Sequence, residues 1–258
     1  MNGTIYLIGA GPGSADFLTL KAARLLGEAD VVLYDALVCD DVLALAVRAR
    51  KICVGKRSGR ASTEQGFINR LLVASAKSAR VVVRLKGGDP MVFGRAQEEI
   101  AACLAAKLNV EVVPGVSAGM AAAAHVQTSL TRRGISKSLA FVTPASAIAA
   151  QGDEAWADAA ASAQTSVIYM GVGQAGGVRD TLLARGLSPT LPVVIVQNAG
   201  RPGTHHVAGI LADLVILAQS VGDDGPSILM LGEVFAELAQ ADSDLRHPIA
   251  PVARLIGV

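Results

Sequence analysis

The sequence predicts an α/β protein made of two α/β domains, residues 1–133 and 134–258. Three observations carry this. Short β-branched runs alternate with longer stretches of helical periodicity along the whole chain. Glycine-rich segments follow the apolar runs at 9–14, 87–90 and 114–119. A polar, basic stretch at 128–134 breaks the pattern after an alanine-rich helix, and marks the expected junction.

The elements follow in order. Residues 4–8 read as a first strand, 18–28 as a helix with a Leu/Ala stripe, 31–34 as a second strand and 41–47 as a second helix. Strands at 52–54, 81–85 and 110–113 are separated by helices at 63–76 and 96–106. Beyond the junction come strands at 139–142, 166–170, 193–197 and 228–231, with loops rich in Gly and Pro such as Gly171, Gly173, Pro202, Gly203 and Pro226. Continuous apolar strands alternating with helices argue for mostly parallel sheets covered on both faces.

Composition narrows the classes. Hydrophobic residues make up 52% of the 258 and aromatics 3%, so the core rests on Val, Leu, Ile and Ala. The apolar runs are strand-length, well short of the ~18 residues of a membrane-spanning helix. A formal net charge of +1 gives no electrostatic case for nucleic acid. The start, Met1-Asn2-Gly3-Thr4, has no basic region or cleavage site, so no signal peptide is expected. Cys39, Cys53 and Cys103 are odd in number and far apart, which argues against a disulfide framework or zinc ribbon and fits a reducing cytoplasm. His125, His205, His206 and His247 lack metal-ligand spacing, so no metal site is expected, and His205-His206 should lie on a strand and face opposite ways.

Four features carry chemistry. Gly9-Ala10-Gly11-Pro12-Gly13-Ser14 links a strand to a helix and allows close approach of a ligand. It is nearly a dinucleotide fingerprint, with Asp35 where a ribose-binding acid would lie. Pro12 removes an amide donor, however, and Ser14 stands where Gly or Ala is usual. Nucleotide binding and a plain turn both remain open on this loop. Arg84-Leu85-Lys86-Gly87-Gly88-Asp89-Pro90 and Pro114-Gly115-Val116-Ser117-Ala118-Gly119 end two further strands, and ligands sit at carboxyl strand ends in such sheets. Asp89 pairs with a ligand amino or ribose group, or caps the turn before Pro90. Lastly, Lys56, Arg57, Arg60, Arg84, Lys86, Arg95, Arg132 and Arg133 are a local cationic excess in a near-neutral chain, suited to a polyanion or simply a solvated surface.

With these residues in place, the chain resembles the uroporphyrinogen-III C-methyltransferases among the S-adenosylmethionine-dependent tetrapyrrole methyltransferases. The likeness rests on Tyr6-Leu7-Ile8-Gly9-Ala10-Gly11-Pro12-Gly13, Tyr34-Asp35-Ala36-Leu37-Val38, Val54-Gly55-Lys56-Arg57, Leu85-Lys86-Gly87-Gly88-Asp89-Pro90, Phe93-Gly94-Arg95 and Leu231-Gly232-Glu233-Val234. It covers about residues 3 to 236. It implies the tetrapyrrole methyltransferase fold, with the active site in the cleft between two α/β domains, and a cytoplasmic homodimer. It also implies two methyl transfers from S-adenosylmethionine to carbons 2 and 7 of uroporphyrinogen III, giving precorrin-2 for sirohaem or cobalamin.

Carried over by position, the resemblance implies catalytic roles for Asp35 and Lys56. It implies cofactor contacts at Pro12, Gly87, Gly88, Asp89, Val92, Ser117, Ala118, Met170, Ala199 and Ser227. Arg57, Arg84, Lys86, Arg132 and Arg133 are the candidates for the substrate's carboxylates. The fused dehydrogenase–ferrochelatase module of some relatives is expected to be absent, leaving a single activity. Two segments depart from the family: Ser129-Leu130-Thr131-Arg132-Arg133 replaces Pro-Leu-Thr-His-Arg, and Val142-Thr143-Pro144-Ala145 replaces Val-Thr-Gly-His, so a His is missing from each. The alternatives are a methylase of a later precorrin on the same fold, a nicotinamide-dependent oxidoreductase, and a non-catalytic tetrapyrrole carrier.

Overall fold

The computed structural model describes residues 3–55, 65–144, 154–222 and 224–246. Lys56, Arg57, Arg60, Ala145 and His247 lie outside them. The chain divides into two compact units: residues 1–121 with Gly200–Pro202, and residues 122–199 with 203–258. The expected junction at 133/134 falls inside the second unit by this division.

The first unit is a five-stranded sheet, every pairing of which is parallel. Its elements are β1 (Thr4–Gly9), α1 (Leu20–Glu28), β2 (Val31–Tyr34), α2 (Asp40–Ala44), β3 (Arg50–Cys53), α3 (Gln65–Ser78), β4 (Val81–Lys86), α4 (Ala96–Ala105), β5 (Asn109–Val113) and the first half of α5 (Ala118–His125). The strand order is β3-β2-β4-β1-β5. Period-2 alternation divides β1, β2 and β4 between two cores. Ile8, Val32, Val83 and Leu85 pack with Leu25 and Leu26 of α1 and with Val42 and Leu43 of α2. Ile5, Leu7, Leu33 and Val82 pack with Ile68 and Leu72 of α3 and with Ala96 and Cys103 of α4. Helix α1 starts where the Thr19 hydroxyl accepts from the Ala22 amide at 3.2 Å, and it buries Ala22, Leu25 and Leu26 on one stripe.

This distribution fixes the crossovers. The chain leaves β1 over the α1/α2 face and leaves β4 over the α3/α4 face. Because β1 and β4 are neighbours, their outgoing connections diverge at adjacent strand ends. That is a topological switch point, where open α/β sheets hold ligands.

The second unit departs from expectation. Its sheet has the order β6-β7-β10-β8-β9, from β6 (Leu139–Val142), β7 (Thr165–Tyr169), β8 (Pro192–Gln197), β9 (His205–Ile210) and β10 (Ser227–Gly232). Only β6 and β7 are parallel among these pairings. Strand β10 runs antiparallel to β7 and β8, and β9 antiparallel to β8. The expectation of a mostly parallel sheet is corrected here. The connection from β8 to β9, residues 198–204, is too short for a crossover and suits an antiparallel return. Helices α6 (Ala155–Ser162), α7 (Ala175–Ala184) and α8 (Leu214–Val221) cover one face through Ala157, Leu182, Leu214 and Leu217. Helix α9 (Ala236–Arg246) packs against β8 and β9. His205 and His206 do lie on a strand, β9, with His205 exposed and the His206 ring edge-on to His125 at 5.5 Å.

Candidate active site

Three strand-end loops of the first unit are locked to one another through glycine. The Gly88 amide donates to the Gly11 carbonyl at 2.7 Å, and the Gly11 amide returns a bond to the Gly88 carbonyl at 3.2 Å. A Cβ on Gly115 would stand 2.4 Å from the Gly88 carbonyl oxygen, and one on Gly9 would stand 2.6 Å from the same atom. Both distances are shorter than any real contact, so the loops after β1, β4 and β5 meet only because these positions lack side chains.

Asp89 completes the lock. Its Oδ1 accepts from the Met91 amide at 2.8 Å and its Oδ2 from the Gly115 amide at 2.9 Å. The turn-capping role set out for Asp89 is therefore present, extended across to the β5 loop. Each oxygen keeps a further lone pair for a ligand donor. Gly87 is exposed, and a Cβ there would meet nothing nearer than Leu37 at 3.6 Å; at Gly88, which has φ +67°, the nearest atom would be 3.9 Å away. The backbone of 87–88 thus leaves room for a ligand to approach. Val92 is half-buried, Ser117 is buried, and Ala118 opens α5.

The first glycine loop argues against the dinucleotide alternative. The amides of Ala10, Gly11 and Ser14 already donate to the carbonyls of Lys86, Gly88 and Gly200, and Pro12 has none to give. A pyrophosphate would find those donors spent. The strand order also differs from the dinucleotide fold, because β4 separates β1 from β2. Pro12 itself is buried against Gly200, and its carbonyl accepts from Arg201 Nε at 3.1 Å. Arg201 also donates to the Leu37 carbonyl, tying the first loop to the segment after β2. Sequence reasoning passed over Arg201, which sits among small loop residues with no pattern to single it out.

Asp35 follows β2 and opens a turn closed by the Val38 amide at 3.1 Å. A Cβ on Gly55 would stand 2.1 Å from the Ala36 amide nitrogen, so Gly55 presses directly on the Asp35–Ala36 peptide. The carboxylate is 30% exposed and faces two cations: Oδ1 accepts from Arg84 Nη2 at 2.5 Å, and Oδ2 lies 4.0 Å from Lys86 Nζ.

Here the structure corrects the reading of Arg84 and Lys86. They are not basic loop residues open to a ligand. Both stand on β4, at 2% and 4% exposure, on its α3/α4 face. Glu99 of α4, with 0% exposure, faces them and supplies the counter-charge. Its Oε1 accepts from Arg84 Nε at 3.0 Å, Lys86 Nζ at 3.2 Å and Gln65 Nε2 at 3.2 Å. Burial and the adjacent guanidinium lower the Lys86 pKa, while Glu99 and Asp35 act to raise it. The signal was in the sequence: two cations alternating along a strand buried on both faces require a buried anion.

In the second unit, Met170, Ala199 and Ser227 come together at one end of the sheet. Met170 follows β7, Ala199 follows β8, and Ser227 opens β10, which is antiparallel to both; Ser227 pairs with Gln197 and Ile228 with Tyr169. Met170 is 53% exposed with φ +56°, a strained setting for a residue with a Cβ, and Ala199 is buried. Arg132 and Arg133 lie on an exposed turn in which the Ser136 amide donates to the Arg132 carbonyl at 2.8 Å, and Arg132 pairs with Glu237 at 3.0 Å. No group of three or more His, Cys, Asp or Glu suited to a metal occurs among the described residues. Nor does any described helix have the length and apolar character to cross a membrane.

A parallel sheet with glycine-locked strand ends at its switch point, in a strand order unlike the dinucleotide fold, defines an α/β ligand-binding protein of a distinct class. Comparison with known proteins supplies the family. Residues 4–215 match the family of tetrapyrrole (corrin/porphyrin) methylases, and the chain belongs to it. It is 42% identical over 249 residues to siroheme synthase 1 of Serratia proteamaculans, which covers 96% of this chain and 50% of that relative. The chain thus spans about half the length of the siroheme synthases it matches. The uroporphyrin-III C-methyl transferase of Thermus thermophilus, solved with S-adenosyl homocysteine, superposes with a TM-score of 0.79 and 41% identity, over 91% of this chain and 100% of that one. A cobalt precorrin-4 methyltransferase superposes at 0.77 with 26% identity, over 90% of this chain and 95% of that one.

Proposed function

We propose that this chain is a uroporphyrinogen-III C-methyltransferase, which moves methyl groups from S-adenosylmethionine to carbons 2 and 7 of uroporphyrinogen III. The products are precorrin-1 and then precorrin-2, for sirohaem or cobalamin biosynthesis. The observation that carries this is the match to the Thermus enzyme, at 41% identity over all of that chain. The later-precorrin alternative has the weaker support of a relative at 26%.

S-adenosylmethionine supplies an electrophilic methyl group on a sulfonium. The ring carbon attacks that methyl, the carbon–sulfur bond breaks with its electron pair leaving on sulfur, and a proton then leaves the macrocycle. Such a displacement asks the protein mainly for alignment. Pro12, Gly87, Gly88, Asp89, Val92, Ser117 and Ala118 are the proposed donor contacts of the first unit, and the open backbone at 87–88 fits a ligand there. Met170, Ala199 and Ser227 are those of the second. Asp35 is the proposed proton acceptor, acting through Oδ2, with hydrogen bonding to a pyrrole N–H as its rival role. Lys56 and Arg57 keep the proposed roles the resemblance gives them. Arg132 and Arg133, exposed on their turn, are suited to the substrate's carboxylates.

The protein is further proposed to work in the cytoplasm as a homodimer. The three cysteines are free thiols, in keeping with a reducing compartment. Calorimetry tests the cofactor. S-adenosylhomocysteine should bind saturably with one site per chain, and NAD should not. Tight NAD binding without a response to S-adenosylhomocysteine would overturn the proposal.

A further inference from the structure

The proposed chemistry needs Asp35 in one orientation, yet Asp35 stands on a loop and is partly exposed. What holds it comes from the core of the first unit. Arg84 Nη2 reaches Asp35 Oδ1 at 2.5 Å while Arg84 Nε reaches Glu99 Oε1 at 3.0 Å. One guanidinium therefore spans from the buried Glu99 of α4 to the strand end after β2. Its third arm, Nη1, donates to the Leu85 carbonyl at 3.2 Å and fixes the plane of the group. Lys86 adds a second cation, 3.2 Å from Glu99 and 4.0 Å from Asp35 Oδ2.

We propose that Glu99 and Arg84 are positioning residues: Glu99 anchors the Arg84 guanidinium, which holds Oδ1 of Asp35 and leaves Oδ2 for the tetrapyrrole. This rests on the reading of Asp35 as the catalytic carboxylate. Three features favour positioning over plain stability. Arg84 spends separate nitrogens of one planar fork on two different carboxylates, a fixed geometry that the single nitrogen of a lysine does not impose. A buried charge cluster is a poor way to stabilise a core compared with apolar packing. The cluster also ends on the one partly exposed carboxylate of the set, at the carboxyl end of β2 beside β4. Arg84, at 2% exposure, is too deep to meet the substrate itself.

A double-mutant cycle on kcat tests this, using the whole chain with Asp35→Asn, Glu99→Gln and their combination. Asp35→Asn should lower kcat by roughly 10²–10⁴-fold, the span of a general acid–base group. Glu99→Gln should lower kcat by about 10²-fold, the cost of a misplaced reacting group, with the KM for both substrates nearly unchanged. In the Asp35→Asn background it should cost nothing further. Should Glu99→Gln fail to fold, Arg84→Lys keeps the buried positive charge and removes the span; the same kcat loss, and the same absence of further loss beside Asp35→Asn, is expected. Losses that multiply in the double variant, or a KM effect on the tetrapyrrole in place of a kcat effect, would overturn the positioning role while sparing Asp35. A near-normal kcat for Asp35→Asn would instead remove the catalytic reading on which the inference stands.

Discussion

At the scale of single residues, burial decides what each polar group can do. Cys103 and Cys53 have the same chemistry and opposite settings. Cys103 is buried on α4 beside Glu99, and burial with that negative neighbour pushes its thiol up to about 11. Cys53 ends β3 and is exposed. Since the thiolate is the reactive form, a disulfide reagent near neutral pH should modify Cys53 in the folded protein and leave Cys103 untouched until the protein unfolds. Mass mapping of the labelled peptides checks this; rapid labelling of Cys103 in the native state would contradict the packing of α4 against the sheet. Arg84 and Lys86 teach the same lesson. Read as letters, they joined a list of basic residues; placed on β4, they are internal partners of Glu99. Exposure is not written in a residue's type. The alternation Val82, Arg84, Lys86 against Val83 and Leu85 did carry it, once the strand is taken as buried on both faces.

At the scale of elements, the glycine contacts are the constraint that the sequence displayed most openly. Three strand ends carried glycine, and all three meet. The sharpest case is Gly115, whose added Cβ would stand 2.4 Å from the Gly88 carbonyl oxygen, a backbone atom with no side chain to swing away. Gly115→Ala should therefore push the β5 loop from the β4 loop, weaken the Asp89–Gly115 bond and destabilise the unit by about 1–3 kcal/mol, the usual cost of overpacking. Calorimetry should show S-adenosylhomocysteine binding weakened as well. Unchanged melting and binding would mean that the loops do not meet this way. Strand positions in the first unit were legible from apolar runs: 31–34 was read to the residue, and β1, β4 and β5 to within one. The sense of the second sheet was not. Apolar content marks a strand as buried and says nothing of its direction, which the short 198–204 connection decides.

At the scale of the whole molecule, family membership and local geometry contribute different things. The likeness covers nearly the full chain and places it in the tetrapyrrole methylase family. The geometry shows which first-loop amides are already engaged and how the β4 cations are spent. The proposed contacts in the first unit come from the resemblance; glycine and aspartate marked the strand-end loops, where both also have a structural use in packing and turn capping. Met170, Ala199 and Ser227 gave no such sign by themselves; antiparallel pairing of β10 with β7 and β8 brings them to one sheet end. The proposed homodimer is checked by sedimentation, which should give about twice the 26.3 kDa of one chain at working concentration. A species of single-chain mass would remove it.

The mass of the product tests methyl transfer to uroporphyrinogen III most directly. Uroporphyrinogen III incubated with the protein and S-adenosylmethionine carrying a labelled methyl group should give a tetrapyrrole with two labelled methyls, through a species with one, and one S-adenosylhomocysteine per methyl. A product with none, from protein that binds S-adenosylhomocysteine normally, would contradict the account and point to a later precorrin as the acceptor.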